Sequence, residues 1–282
     1  MTSINTNPGA EIALRVLSNN QVEKEDVQDD ISTGKDVDEA KDAPAIWAIS
    51  EIMGSDLAGF EATSNGLNIG EATVSVASAG AEQITNLLTD MKELTILASS
   101  GTADYSMVEE QLAQKTEQIN TIISSSSFNG VNLLATDTDG SGGTGLNVAA
   151  SQDRSGSDAP TLSTISIGGV DFESSTSFDI NNRTTVTDAA SARTALTEIE
   201  GFLRYATDSA AALGAGAQQL AEQDVFMDKL SDAIQMGISE LTDTDMEDAA
   251  ARFEALSAQE QLGGLSLSIA NASPGSLRSL YS

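Results

Sequence analysis

The chain has 282 residues, with 43 acidic and 13 basic side chains and a formal net charge of −30. So acidic a chain is not expected to bind nucleic acid or an anionic membrane surface, because both attract basic residues. The absence of histidine and cysteine excludes disulfides, Ser-His-Asp and Cys-His catalytic arrangements and the common zinc sites.

Two further properties of the sequence concern where the protein acts. No run of about 18 apolar residues is present, so no membrane span is predicted. The first residues lack the basic and apolar segments of a secretory signal, so a cleaved signal peptide is not expected. The negative charge also implies repulsion between copies, which salt would screen.

The N-terminal part of the chain predicts one helix and a polar connector. Pro8 places the helix start near residue 9, because proline suits only the first turn. The acidic stretch at residues 23–30 is unusual for a packed segment and is interpreted as a solvated helix face. Residues 31–45 form the connector, and Pro44 begins the next helix.

Two long heptad patterns follow, one in residues 46–99 and one in residues 187–240. Apolar residues seven positions apart stay on the face that meets a partner helix in a left-handed coil. The two patterns therefore predict an antiparallel bundle. The predicted rod core consists of Ile46, Met53, Phe60, Leu67, Val74, Leu88, Ile199, Leu213, Leu220, Met227 and Ile234.

A shorter helix and a β-region lie between the two heptad segments. Ser106 and Glu109 have capping-box spacing, which predicts a helix start. In residues 131–186 the helical period disappears, and Gly, Ser, Thr and Asp dominate. The sequence ISIGGVDF at 165–172 predicts a hairpin that turns at Gly168-Gly169 and projects from the helices.

The last stretch, residues 243–282, is distinguished by its charge pattern. Thr244 and Glu247 again have capping-box spacing. From Gln261 to Leu277 no residue is charged, and leucine and isoleucine spread around most of the helix. A short helix that is apolar nearly all round should be buried against another segment or another copy of the chain. We therefore interpret this stretch as an assembly surface.

The predicted fold class is mainly α. We expect a long antiparallel helical bundle or coiled-coil hairpin, with paired terminal helices and a small β-hairpin region inserted at the tip. Aromatic residues make up only 4 % of the chain, which favours aliphatic helix packing over a β-sandwich.

The sequence contains no strong motif for a catalytic or metal-binding site. The sequence DTDGSGG at 137–143 is similar to the start of a calcium loop, but Val148 stands where a bidentate Glu is required, so it is interpreted as an acidic turn. Paired carboxylates carry little information in so acidic a chain. No catalytic residue, metal ligand or cofactor site is predicted.

Three stretches of the sequence form a recognisable set: ISTGKDVDEAKDAPAIWAIS at 31–50, FNGVNLL at 128–134 and QEQLGGLSLSIANASPGSLRSL at 259–280. They resemble bacterial flagellin and occur in the order that the family shows. Ala40-Lys41-Asp42 and the C-terminal pattern of Ala270-Asn271 with Pro274 are the most specific parts. The chain is similar to short alphaproteobacterial flagellins without large outer domains.

The resemblance implies a structural subunit, not an enzyme, that self-assembles into the extracellular flagellar filament for swimming. It implies an assembly domain at 1–45 plus 240–282, a helical rod domain at 46–239, and export through the flagellar type III apparatus without a cleaved signal. The implied partners are other copies, an export chaperone and the cap and junction proteins, with no cofactor, nucleic acid or membrane. The expected assembly interface is Ile4, Leu14, Leu17, Ile31, Met246, Phe253, Leu256, Leu262, Leu265, Leu267, Ile269, Leu277 and Leu280.

One stretch of the first heptad segment resembles the part of flagellins that an animal receptor recognises. Lys92, Glu93 and Leu94 fit that pattern, but Asp90 stands where recognised flagellins carry a basic residue. Weak receptor activation is expected.

Two alternatives are left open. A hook–filament junction protein would have the same helical bundle in few copies. A secreted calcium-binding adhesin would use the middle region as its active part.

Overall fold

The computed structural model describes residues 6–154 and 161–279, with side chains up to residue 272. These residues form helices α1 (Pro8–Thr33), α2 (Pro44–Ser99), α3 (Tyr105–Ser125), α4 (Ala189–Thr242) and α5 (Met246–Ser279), and strands β1 (Gly145–Asp153) and β2 (Thr161–Gly168). The mainly α architecture with one small antiparallel sheet confirms the predicted fold class.

The chain divides into two compact units. The first unit contains Met1–Ser55 and Ala233–Ser282, and the second unit contains Asp56–Asp232. Helices α1 and α5 lie in the first unit, whereas α3 and the sheet lie in the second.

The helix starts are capped by different residues from those predicted. The side chain of Asp104 accepts from the backbone N–H groups of Ser106 and Met107 at 3.0 and 3.4 Å. Asp245 does the same for the first turn of α5. Both predicted capping boxes are therefore wrong, because an Asp directly before each helix satisfies the free N–H groups first. Glu109 is then available for a long-range contact.

The core of the second unit lies where α2, α3 and α4 pack together. Ser64 of α2 donates a hydrogen bond to Asp224 of α4, and Lys92 of α2 forms an ion pair with Glu200 of α4. Helices α2 and α4 therefore run antiparallel. Eight of the predicted rod-core residues are buried here: Phe60, Leu67, Val74, Leu88, Ile199, Leu213, Leu220 and Met227. The remaining three, Ile46, Met53 and Ile234, are half-buried and belong to the first unit.

The sheet is built differently from the predicted hairpin. Strand β1 pairs with β2 antiparallel, from Gly145 opposite Gly168 to Asp153 opposite Thr161. Gly168-Gly169 therefore ends a strand and makes no two-residue turn. The segment after it bonds elsewhere, since the Val170 N–H donates to the carbonyl of Leu133 at 2.6 Å. The predicted turn is wrong because the apolar alternation at 165–172 continues past the end of β2. The residues after Gly169 belong to a different segment, which does not pair with β2.

The sheet also does not project from the helices as predicted. Val148, Ala150 and Ile167 are buried on its inner face, and Gln223 of α4 donates to the carbonyl of Ala150 at 2.8 Å. A Cβ atom added at Gly70 of α2 would lie 2.6 Å from Val148 Cγ2. Glycine thus permits the close approach that lays the sheet along the helices.

The chain after β2 is anchored by an aromatic cluster that the sequence did not reveal. Phe172 and Phe178 stack edge to face with ring centroids 4.7 Å apart, and both are buried. Tyr205 of α4 lies beside both rings and donates to the carbonyl of Asp171 at 3.0 Å. Edge-to-face pairs of this kind add specificity to apolar burial.

Candidate functional site

The candidate site is the pair of terminal helices in the first unit, α1 and α5, which run antiparallel. Asn7 Nδ2 donates to the carbonyl of Ala270 at 2.8 Å, and Asn20 Nδ2 donates to that of Leu256 at 3.2 Å. Between these two contacts Leu17 packs on Gly263, where an added Cβ would lie 3.3 Å from Leu17 Cδ1. The paired terminal helices of the predicted fold are therefore present.

Lys24 joins α1 to two side chains of α5. Its ammonium group lies 2.8 Å from Glu260 Oε2 and 5.3 Å from the centroid of the Phe253 ring. The first contact is an ion pair, and the second is within cation–π range. Lys24 is half-buried, so both contacts are partly shielded from solvent.

Most side chains of the acidic run at 23–30 point away from α5. Glu23, Glu25, Asp26 and Asp29 are exposed, whereas positions 20, 24, 27 and 30 turn inward at helical spacing. The prediction of a solvated helix face is confirmed for most of the run. The four exposed acids do not oppose helix pairing, because they lie on the outer face.

Asp30 is the half-buried acid of this run. Burial raises the pKa of its carboxyl above the ordinary value, and the negative charges of Asp36, Asp26, Asp42 and Asp29 raise it further. The ionised form of Asp30 therefore opposes folding of this part of the first unit.

The connector after α1 is tied to the turn between α4 and α5. The N–H of Asp36 donates to the carbonyl of Thr242 at 2.8 Å, and that of Thr244 donates to the carbonyl of Gly34 at 3.0 Å. Gly34 ends α1 with φ 75°, a conformation that glycine adopts without strain. The start of α5 is thereby fixed beside the end of α1.

Part of the outer side of the α1–α5 pair is apolar. A shallow groove, which we call the apolar groove, runs between Ile12 and Val16 of α1 and Leu262 of α5. The exposed large apolar side chains of these two helices are Ile12, Leu14, Val16, Val22, Met246, Leu262, Leu265 and Ile269. So many exposed apolar groups on two adjacent helices are typical of a surface that another protein covers.

The predicted interface residues fall into three groups. Leu256 is buried between the helices, and Leu17, Ile31, Phe253 and Leu267 are half-buried. Leu14, Met246, Leu262, Leu265 and Ile269 are exposed. Ile4 and Leu280 lie outside the described residues, as does the side chain of Leu277. Sequence reasoning missed Asn7, Asn20 and Lys24, because polar residues in a helix are usually assigned to its solvated face.

The receptor-like residues lie in the second unit. Asp90 pairs with Lys115 at 2.7 Å, and Lys92 pairs with Glu200 at 3.1 Å. Glu93 is exposed and Leu94 is half-buried. Weak receptor activation stays a prediction, and a strong signal from the purified protein in receptor reporter cells would contradict it.

The loop that is similar to a calcium site forms a closed turn. Asp137 accepts from the Gly142 N–H at 2.9 Å, and Asp139 accepts from those of Ser141 and Gly143. The hydrogen bond from Gly142 is the main cause that lowers the pKa of Asp137. Within residues 6–154 and 161–279, no group of three or more acidic side chains is arranged to hold a metal ion.

Within the part of the chain that the structure describes, no helix combines the length and apolar character needed to cross a bilayer.

Comparison with known families bears directly on the terminal helices. A model of the bacterial flagellin N-terminal helical region matches residues 4–139, and a model of the bacterial flagellin C-terminal helical region matches residues 196–281. These matches include α1 and α2 at one end of the chain and most of α4 and α5 at the other.

Individual relatives match over their whole length. Flagellin FljM of Caulobacter vibrioides is 34 % identical over 284 residues, covering 100 % of this chain and 99 % of that protein. A flagellin of Brucella melitensis is 34 % identical over 286 residues with the same coverage. A crystal structure of Bacillus cereus flagellin aligns with a TM-score of 0.49 and 21 % identity, over 57 % of this chain and 87 % of that chain. The resemblance seen in the sequence motifs is confirmed: the chain belongs to the bacterial flagellin family.

Proposed function

We propose that this protein is a structural subunit of the bacterial flagellar filament and that copies meet through the outer side of the α1–α5 pair. The observation that carries the location of the interface is the exposed apolar surface on those two helices. Leu262, Leu265 and Ile269 are 62, 62 and 72 % exposed, within a stretch that has no charged residue. Membership of the flagellin family supports the role as a filament subunit.

The energetic case rests on burial of that surface. Burying one exposed Leu or Ile side chain contributes about 1.5–3 kcal/mol, so a few such side chains favour association. The opposing term is repulsion between chains of net charge −30. Salt screens that repulsion over a Debye length of about 8 Å at physiological ionic strength, but it leaves apolar burial in place. Assembly should therefore be promoted by salt.

The two compact units support a division of labour within the chain. We assign assembly to the terminal segments, residues 1–45 and 240–282, and the rod to residues 46–239. The boundaries of the first unit, Met1–Ser55 and Ala233–Ser282, are near those of the assembly domain. The anchored sheet and the aromatic cluster give the second unit a core of its own.

The remaining partners belong to the same proposal. The subunit would leave the cell through the flagellar type III apparatus with the help of an export chaperone. It would then meet the cap and junction proteins and act outside the cell. A hook–filament junction role is less well supported, because relatives matched over their whole length are called flagellins.

Electron microscopy of the purified protein across salt concentration tests the proposal. Filaments should appear as salt rises. A chain lacking residues 262–282 should stay a soluble helical monomer, and filaments from that truncation would contradict the assigned interface.

A double substitution and a control variant locate the interface more closely in the same experiment. Leu262→Gln with Leu265→Gln should raise the salt concentration needed for assembly or abolish assembly. Leu162→Gln is the matched control, because Leu162 is also a leucine, is 65 % exposed and lies on the sheet of the second unit. Equal effects of the two changes would contradict the location of the interface, and no filaments from the unsubstituted chain would contradict the function.

A further inference from the structure

The second unit uses only some of its basic side chains in its own fold. Four of them form ion pairs with acidic side chains of the same unit: Lys92, Lys115, Arg154 and Arg183. The other three are exposed and form no ion pair with the residues that the structure describes: Arg193, Arg204 and Lys229. Three positive charges on the surface of so acidic a chain are therefore available to a partner.

These three side chains lie along one side of α4, and we call them the basic stripe. They are all the basic residues of that helix. Arg204 follows Arg193 by about three helical turns, and Lys229 follows it by about ten. Whole numbers of turns return to the same side of a helix, so the three groups point the same way. A positive stripe of this kind favours a negatively charged partner in a fixed orientation.

An acidic stripe with the same spacing lies on α2. It consists of Glu82 and Glu93, which are exposed and form no ion pair with the described residues. Glu71 lies at the same interval but is half-buried. Each stripe places two charges about 16 Å apart along its helix, at ~1.5 Å per residue, so two ion pairs can form together.

The two stripes do not meet within one chain. Helices α2 and α4 pack together at their buried seam, where Leu67 and Leu220 are fully buried, whereas the charged groups of both stripes are exposed. A second copy of the chain carries both stripes and so supplies a partner for each. Because α2 and α4 run antiparallel, two copies that point the same way bring α4 of one beside α2 of the other in antiparallel order.

We propose that the basic stripe of one copy docks on the acidic stripe of a second copy. In the antiparallel order, Arg193 faces Glu93 of the second copy. Arg204 then faces Glu82. The contact is heterologous, because each copy keeps one stripe unused, and further copies can add to it. It deepens the proposed function and rests on it for the filament, whereas the pairing of the stripes concerns any two copies.

The stripes orient the copies more than they hold them together. Exposed ion pairs contribute little affinity, but charge complementarity sets the orientation in which two surfaces approach. With a net charge of −30, most orientations bring acidic surfaces together. The matched stripes favour an approach in which attraction replaces part of that repulsion.

Charge reversal tests the contact in filaments. The basic-reversed chain carries Arg193→Glu and Arg204→Glu, and the acid-reversed chain carries Glu82→Arg and Glu93→Arg. Each should raise the concentration of subunit left in solution after filaments are sedimented about tenfold, because two ion pairs become like-charge contacts. A chain with all four changes should return close to the parent value. So should an equimolar mixture of the two reversed chains, because both arrangements recreate opposite charges.

The acid-reversed chain also separates the effect of the stripes from that of net charge. It is less negative than the parent, so relief of general repulsion alone would make it assemble more readily. Glu110→Arg with Glu117→Arg is the matched control, because both are exposed glutamates of α3 and their reversal changes the net charge equally. This control should assemble at least as readily as the parent. Circular dichroism checks that every variant keeps its helix content.

Disulfide trapping detects the contact without filaments, because the chain has no cysteine of its own. Thr197 lies on the basic stripe between its two arginines, and Thr89 lies on the acidic stripe between its two glutamates. Both are exposed, and in the proposed pairing they face each other. Oxidation of a mixture of Thr197→Cys and Thr89→Cys chains should give several-fold more mixed disulfide than Thr197→Cys with Thr121→Cys, which places the second cysteine at an exposed position of α3.

Several results would overturn the inference. They are reversed chains that assemble like the parent, an acid-reversed chain that assembles as readily as the α3 control, and a mixture of reversed chains that fails to recover. Loss of assembly in the basic-reversed chain alone would place the acidic partner of α4 on another surface. If the parent forms no filaments, the proposed function fails, and the disulfide between positions 89 and 197 still decides whether the stripes meet. A yield no higher than that of the control mixture would show that they do not.

Discussion

Arg183 and Glu109 form a two-point ion pair between parts of the chain 74 residues apart. Arg183 Nη1 donates to Glu109 Oε2 at 3.1 Å, and Nη2 donates to Oε1 at 2.7 Å. The Val186 N–H donates to the same carboxylate at 2.9 Å. The Arg183 side chain is only 6 % exposed. Glu109 of α3 thereby holds the segment that leads from the aromatic cluster into α4.

We expect Glu109→Ala to lower the free energy of unfolding by about 2–4 kcal/mol, because Arg183 would be left buried without its carboxylate. Urea denaturation followed by circular dichroism measures the change. Glu110→Ala is the control on the same helix, since Glu110 is exposed. Equal losses in the two variants would contradict a structural role for the pair.

The same carboxylate should give the second unit an acid-sensitive contact. Burial alone raises the pKa of Glu109, but the hydrogen bonds from Arg183 and Val186 outweigh it and hold the pKa below the ordinary 4.5. A folded-state pKa below the unfolded one means that the stabilisation is present above pH 4.5 and is lost as pH falls through the folded value. Glu109→Gln should therefore differ from the parent less at pH 3 than at pH 7 in urea denaturation. A constant difference would argue against the linkage.

Asp30 should respond to pH with the opposite sign. Its pKa is raised above 3.8 in the folded state, so the ionised group opposes folding at neutral pH and the cost is relieved as pH falls through the raised value. Asp30→Asn should slow hydrogen exchange of the α1 amides at pH 7, and the gain should vanish below pH 3.8. Asp29→Asn makes the same charge change at an exposed position and should have a smaller effect.

Gly70 should be intolerant of a side chain. Gly70→Ala places a methyl group 2.6 Å from Val148 Cγ2 and should cost about 1–3 kcal/mol through overpacking of the sheet on α2. Gly66→Ala, one helical turn earlier with open space around it, should be neutral or stabilise by up to about 1 kcal/mol. Thermal unfolding of the two variants provides the comparison. Similar melting temperatures would show that the sheet is not held against α2.

The helical periods and the motifs of the sequence were sufficient to predict the long helices, many of their buried residues and the protein family. Heptad spacing located α2 and α4, and most of the seam from Phe60 to Met227 is buried. Such patterns succeed because a helical face is defined by residues only a few positions apart. The same local information predicted the solvated face of the acidic run and the family to which the chain belongs.

Contacts between distant segments were decided only by the tertiary structure. Nothing in the local pattern around Glu109 distinguishes a capping residue from the partner of Arg183, and nothing around Gly168-Gly169 shows that Val170 bonds to Leu133. The position of the sheet on Gly70 and the pairing of Lys24 with Phe253 and Glu260 are of the same kind. By itself the sequence determined which segments are helical and which faces are apolar, because backbone preference and periodicity are local. Which faces meet, and in what register, depends on side chains brought together from far along the chain, and that information exists only once the helices have packed.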